Sequence, residues 1–202
     1  HVGLLDADIY GPSQPRLMGL QGHKPEADED GRILPLRAHG VDVMSIGFMV
    51  SEAQALIWRG PMVQSAFKQL LSDVAWDAYG PLDVLVLDTP PGTGDVQLTL
   101  AQSLSIDGAV IVSTPQELAL ADARKGVMMF QRLDVPILGL LENMSGDIFG
   151  TGGARIEAEK LGIPFLGSLP LDAGIRQAGD EGRPAAGHFD ALAAVVKQEL
   201  KA

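Results

Sequence analysis

Three carboxylates at two places along the chain set the chemical question. "GLLDADIYGPS" (residues 3–13) ends an apolar run in Asp6 and Asp8, two residues apart. If the chain stays extended there, both side chains point to one side, and two like charges so close need a cation, water or donors between them. An Asx turn leading into Gly11-Pro12 would use the same residues without any ligand. "LVLDTPPGTGD" (residues 85–95) ends a second apolar run in Asp88, and its prolines and glycines exclude regular structure as far as Asp95. An acid at the end of a buried strand is where a nucleotide-binding fold holds Mg²⁺, usually through water. Gly92 and Gly94 would let backbone N–H groups approach a terminal phosphate, while Pro90 and Pro91 stiffen the loop. The plain alternative is a rigid turn, with Asp95 capping the next helix.

Two further strand ends carry polar residues. "LLENMSG" offers Asn143, whose amide has both a donor and an acceptor for the edge of an adenine, or simply forms a turn. "LGSLPLD" places Pro170 and Asp172 after the last apolar run, where they flank a base or else turn the chain and cap a helix. The histidines His1, His23, His39 and His188 lack metal-ligand spacing. Arg59 in "WRGPM" could lie near phosphates, but a single exposed arginine before a helix usually has no such duty, and Trp58 and Trp76 read as packing residues. "GTGGA" (150–154) lacks the Lys-Ser/Thr ending of a phosphate loop and reads as a flexible lead into a helix.

Strands and helices must hold these residues. Apolar runs predict strands near Val2–Leu5, Val84–Leu87, Ala109–Ser113, Ile137–Leu141 and Pro164–Leu169. Several are almost continuously apolar (VLVL, AVIV, ILGLL), as parallel strands covered on both faces are. In "PMVQSAFKQLLSDV" apolar residues recur every three or four positions, the mark of an amphipathic helix with Pro61 in its first turn. Further helices are expected at 95–104, 117–133, 153–161, 173–179 and 189–201. The alternation implies an open, doubly wound α/β sheet, mostly parallel, with ligands beyond the carboxyl ends of its strands. "ILPLRAHGVDVMSI" is the exception and predicts an edge hairpin around His39-Gly40.

The 202 residues are 46% hydrophobic, enough for one substantial core. Twenty-six acids against 15 bases give a net charge of −11, which argues against nucleic acid or an anionic membrane as partner. There is no cysteine, hence no disulfide and no thiolate metal site within these residues. No apolar run approaches the ~20 residues that span a bilayer.

Together "GLLDADIYGPSQPRLMG", "MSIGFMV", "WRGPM", "DTPPGTGDVQLTLAQ", "VSTPQELALADARKGVMMF" and "ENMS…DIFGTGGA" resemble the Mrp (ApbC-like) branch of P-loop ATPases. These are relatives of MinD proposed to carry iron–sulfur clusters, and the resemblance covers nearly the whole chain in the family's order. It implies a MinD-like fold in which Asp6 and Asp8 match the switch I acids that help place the attacking water and Mg²⁺. Asp88 matches the Walker B acid, Pro90 to Gly94 match switch II, and Asn143 would read adenine.

Family members begin with a strand and a phosphate loop of the GKGGVGKST kind, and commonly carry a Cys-x-x-Cys between "ENMS" and "DIFG". Here Gly146 alone joins those two segments. The expectation is therefore one P-loop NTPase domain over 1–202, lacking the first strand with its phosphate loop and the loop around Gly146. By itself such a chain would neither hydrolyse ATP nor bind a cluster through thiolates. For the intact parent the resemblance implies ATP and Mg²⁺, and a homodimer whose cysteines bridge a [4Fe–4S] cluster. It further implies apo iron–sulfur proteins as recipients and a cytoplasmic setting. The rival expectation is a MinD- or ParA-like positioning switch, which requires a basic membrane helix or DNA-binding patch. "HFDALAAVVKQELKA" is amphipathic, but its two lysines are balanced by Asp190 and Glu199, and it reads as packing on the sheet.

Overall fold

The apolar runs form strands and the three-to-four-residue repeats form helices, in the order expected. The computed structural model describes residues 1–50 and 60–200. Trp58 and Arg59 lie outside the described residues, as do the side chains of Val63 and Asp95. The chain divides into two units, each with its own parallel-dominated sheet.

The first unit comprises residues 1–91, 95–97 and 177–184. Its strands β1 (Val2–Asp6), β2 (Leu36–Ala38), β3 (Val41–Ser45) and β4 (Val84–Asp88) lie in the order β2-β3-β1-β4. Strands β3, β1 and β4 run parallel, and β2 is antiparallel to β3. This is the expected edge hairpin. Its turn residues His39 and Gly40 take φ of 53° and 80°, as a two-residue primed turn requires. A single helical turn, α1 (Gln14–Leu17), follows the Asp8–Gly11 loop. Helix α2 (Gly60–Ser72) buries Ala66, Phe67 and Leu70 of the stripe its periodicity predicts, while Leu71 is half-buried and Met62, in the first turn, is exposed. Leu5, Val43, Met44, Ile46 and Phe48 are buried with them.

The second unit comprises residues 92–94, 98–176 and 185–202. Strands β5 (Ala109–Ser113), β6 (Ile137–Ser145) and β7 (Phe165–Pro170) are parallel, in the order β5-β6-β7. Helices α4 (Glu117–Arg132) and α5 (Gly153–Leu161) supply Leu120, Ala123, Val127, Ala154 and Ala158 to a core shared with Ile111 and Leu140. Helix α7 (Ala186–Glu199) packs on β7, starting three residues earlier than its pattern suggested. Helices α3 (Asp95–Ser103) and α6 (Ala173–Asp180) each carry residues of both units.

One expectation about the strands is corrected. Only ILGLL of β6 is covered as a doubly flanked parallel strand should be, with Leu138, Leu140 and Leu141 buried. On β4, Val84 and Val86 remain 37% and 45% exposed, and on β5, Val112 is 55% exposed. Each of these is the last strand of its sheet among the described residues, so no strand beyond it extends the covering layer.

Candidate functional site

Pairing register brings the first set of polar strand ends level. Asp6 lies opposite Ser45 on one side and opposite Asp88 on the other. Residues in register on parallel strands share a face, so these three side chains stand at the carboxyl rim on one side of the sheet. The Ala7 N–H donates to the Asp88 carbonyl at 2.8 Å, carrying the ladder one step further.

Asp6 is fully buried. Its Oδ2 accepts from the Ser45 hydroxyl at 3.0 Å and the Gln14 N–H at 3.1 Å, and its Oδ1 accepts from the Asp8 N–H at 3.2 Å. Burial pushes the Asp6 carboxyl up to about 6 in spite of these three donors, and the nearby Asp88 charge acts in the same direction. Asp88 is half-buried, and its Oδ2 accepts from the Gln14 side-chain amide at 2.6 Å.

Asp8 differs from the extended geometry that would place it beside Asp6. The strand stops at Asp6, the Asp8 N–H folds back onto it, and the Asp8 Oδ1 accepts from the Gly11 N–H at 3.0 Å. This is the Asx-type turn, because the short aspartate side chain reaches backbone N–H groups that the ended strand leaves unpaired.

The loop after β4 is held as well as stiff. Gln97, buried on α3, donates from Nε2 to the Pro90 carbonyl at 2.6 Å. Gly92 takes a φ of 93°, which only glycine adopts without strain, and both Gly92 and Gly94 are exposed.

In the second unit Asn143 follows the buried part of β6, with its Oδ1 accepting from the Met144 N–H at 2.9 Å. Ser145 lies in register with the exposed Pro170, so Asn143 and Pro170 stand at neighbouring strand ends. Asp172 realises the helix-cap alternative. Its Oδ1 accepts from the N–H groups of Gly174 at 2.6 Å and Ile175 at 3.1 Å, at the start of α6.

The buried acid of this unit is Glu142. It accepts from the N–H groups of Gly152 and Ala154, both at 2.9 Å, and from the Ser168 hydroxyl at 2.7 Å. Burial acts to raise the Glu142 carboxyl, but these donors prevail and hold it below the usual range. "GTGGA" is thus pinned, not a flexible lead into α5, because a carboxylate satisfies the helix's first N–H groups.

The model of the family described as ParA, NUBPL iron-transfer P-loop NTPase, matches residues 1–200. The chain belongs to this family. It is similar to the iron-sulfur cluster carrier protein of Haemophilus influenzae, with 50% identity over 193 residues covering 91% of this chain and 51% of that protein. The chain spans about half the length of the curated relatives it matches. Among solved structures it resembles the nucleotide-binding protein of Archaeoglobus fulgidus in complex with ADP. That match has a TM-score of 0.75 and 36% identity, and covers 90% of this chain and 74% of the other. The cell division ATPase MinD of Pyrococcus furiosus shares the fold at a TM-score of 0.72 and 20% identity, covering 97% and 85%.

Of the rim acids, Asp88 is the one that could hold a divalent ion. No group of three or more His, Asp or Glu side chains spaced for a metal occurs among the described residues. A half-buried Asp88 with one oxygen anchored fits an ion held through water and by phosphate oxygens, the usual manner of Mg²⁺. The chain has no cysteine and does not fit a thiolate-bound cluster. Four polar residues that hold these strand ends and loops escaped sequence reasoning: Gln14, Ser45 and Gln97 in the first unit and Glu142 in the second. Ser45 and Glu142 carried a signal, since each is a polar residue within or ending an apolar strand. Gln14 and Gln97 carried none.

Proposed function

We propose that the protein is an ATP-driven carrier of iron–sulfur clusters, with this chain as its nucleotide-responsive domain. The nucleotide reading is carried by the level placement of Asp6 and Asp88 at the carboxyl rim, where open α/β sheets bind ligands. The cargo reading is supported by the likeness to the Haemophilus influenzae carrier.

In this reading Asp8, supported by Asp6, orients the attacking water, and Asp88 holds a water of Mg²⁺. When bound, Mg²⁺ offsets charge on the phosphates. The N–H groups of Gly92 and Gly94 sense the terminal phosphate. Asn143 reads the adenine edge, Pro170 flanks the base, and Asp172 keeps the adjoining loop in place by starting α6. A preceding strand with a lysine-bearing phosphate loop pairs on the outer edge of β4, which no described strand occupies. The working form is a homodimer in the cytoplasm. Its cargo is a [4Fe–4S] cluster held by cysteines outside these residues and passed to apo iron–sulfur proteins.

Cluster transfer from the reconstituted full-length protein to an apo-acceptor tests this, with and without ATP. Asp8→Asn and Asp88→Asn should each abolish the ATP-dependent part. Transfer unchanged in both variants would remove ATP from the mechanism.

A further inference from the structure

We propose that Gln14 is a positioning residue that sets the Asp88 carboxylate for a divalent cation and couples it to Asp6. This rests on the nucleotide reading above. Gln14 makes one bond from each end: its backbone N–H donates to Asp6 Oδ2 at 3.1 Å, and its side-chain amide donates to Asp88 Oδ2 at 2.6 Å.

The root of that side chain is clamped. Pro12 and Pro15 lie on either side of it in sequence, and both press on Gly47. A Cβ at Gly47 would stand only 3.1 Å from Pro12 and 3.2 Å from Pro15. The Gly47 N–H in turn donates to Ser45 Oγ at 3.1 Å, and Ser45 donates to the same Asp6 oxygen that receives Gln14. The chain from 12 to 15 is therefore fixed at both its apolar and its polar contacts. Only the Gln14 side chain extends from it to the neighbouring strand end.

The chemistry of an amide suits this task. A lysine or arginine would neutralise Asp88 and compete with a cation, and a glutamate would repel the carboxylate. An amide donor orients one oxygen and leaves the negative charge in place.

The test uses the full-length protein and a fluorescent ATP analogue, titrated in Mg²⁺ and again in EDTA. Gln14→Met keeps the length and removes the donor. It should lose about tenfold of the Mg²⁺-supported affinity, as expected for a hydrogen bond to a charged group. Affinity in EDTA should change far less than affinity in Mg²⁺, and the melting temperature should fall by only a few degrees. Gln14→Asn, a methylene too short, should fall between the two. Asp88→Asn is the control and should lose Mg²⁺ dependence altogether. If Gln14→Met keeps full Mg²⁺ dependence while Asp88→Asn loses it, the role of Gln14 is refuted and the nucleotide reading survives. Equal loss in Mg²⁺ and EDTA would make Gln14 merely structural and also refutes it. Mg²⁺ dependence retained in Asp88→Asn would overturn the metal role of Asp88, and that of Gln14 with it.

Discussion

Asp6 lies in register with Asp88 on the adjacent parallel strand, yet the two carboxylates have different surroundings. Asp6 is sealed from solvent beneath three donors, whereas Asp88 is half-buried and held by Gln14. The inner acid organises the loop that follows β1. The outer one stays partly open to solvent.

The raised carboxyl of Asp6 makes stability depend on pH. Its folded value is about 6 against an ordinary 3.8, so the fold favours the protonated form. That contribution is complete below about pH 4 and is lost as pH rises through about 6. In urea titrations Asp6→Asn should therefore gain on the wild type between these limits, by up to about 3 kcal/mol. A difference between the two proteins that stays flat across that range would show that Asp6 titrates normally.

Glu142→Gln should cost on the order of 2–3 kcal/mol, because one amide cannot replace a carboxylate that accepts from three donors. The folded carboxyl lies below its ordinary value, so its contribution is present above that value and is lost as the solution is acidified through the folded one. The gap between wild type and variant should accordingly narrow in acid. Hydrogen exchange at the amides of Gly152 and Ala154 should speed up in the variant, and unchanged protection there would count against the latch.

Two glycine replacements should have opposite signs. A Cβ at Gly153 would stand 2.1 Å from the Pro115 carbonyl oxygen, a backbone atom that cannot swing aside. Gly153→Ala should destabilise by about 2–4 kcal/mol despite the better helix propensity of alanine. Gly187, within α7, has open space at the same position, and Gly187→Ala should stabilise by about 0.5 kcal/mol. Denaturant midpoints decide both, and equal effects would mean that the α5 start is looser than described.

Much of this was legible in residue order. Periodicity placed the strand ends of both sheets to within a few residues, and polar residues closing apolar runs marked the carboxyl end of each sheet, Asp6 and Asp88 in the first unit and Asn143 in the second. What failed did so for a definite reason. "GTGGA" looked flexible because nothing near it in sequence reveals that Glu142 receives its N–H groups. At Asp8 the residue order left an extended chain and an Asx turn both open, and the turn prevails because the strand ends at Asp6.

Local patterning determined the elements, their order and the acids at their ends, since strand and helix periods are properties of neighbouring residues. The tertiary structure alone decided that Asp6, Ser45 and Asp88 stand level, that Gln14 touches both acids, and that one carboxylate is buried and the other accessible. Those facts depend on strand register and on which face is covered. Register is settled by packing among residues far apart in the chain, so no local reading contains it.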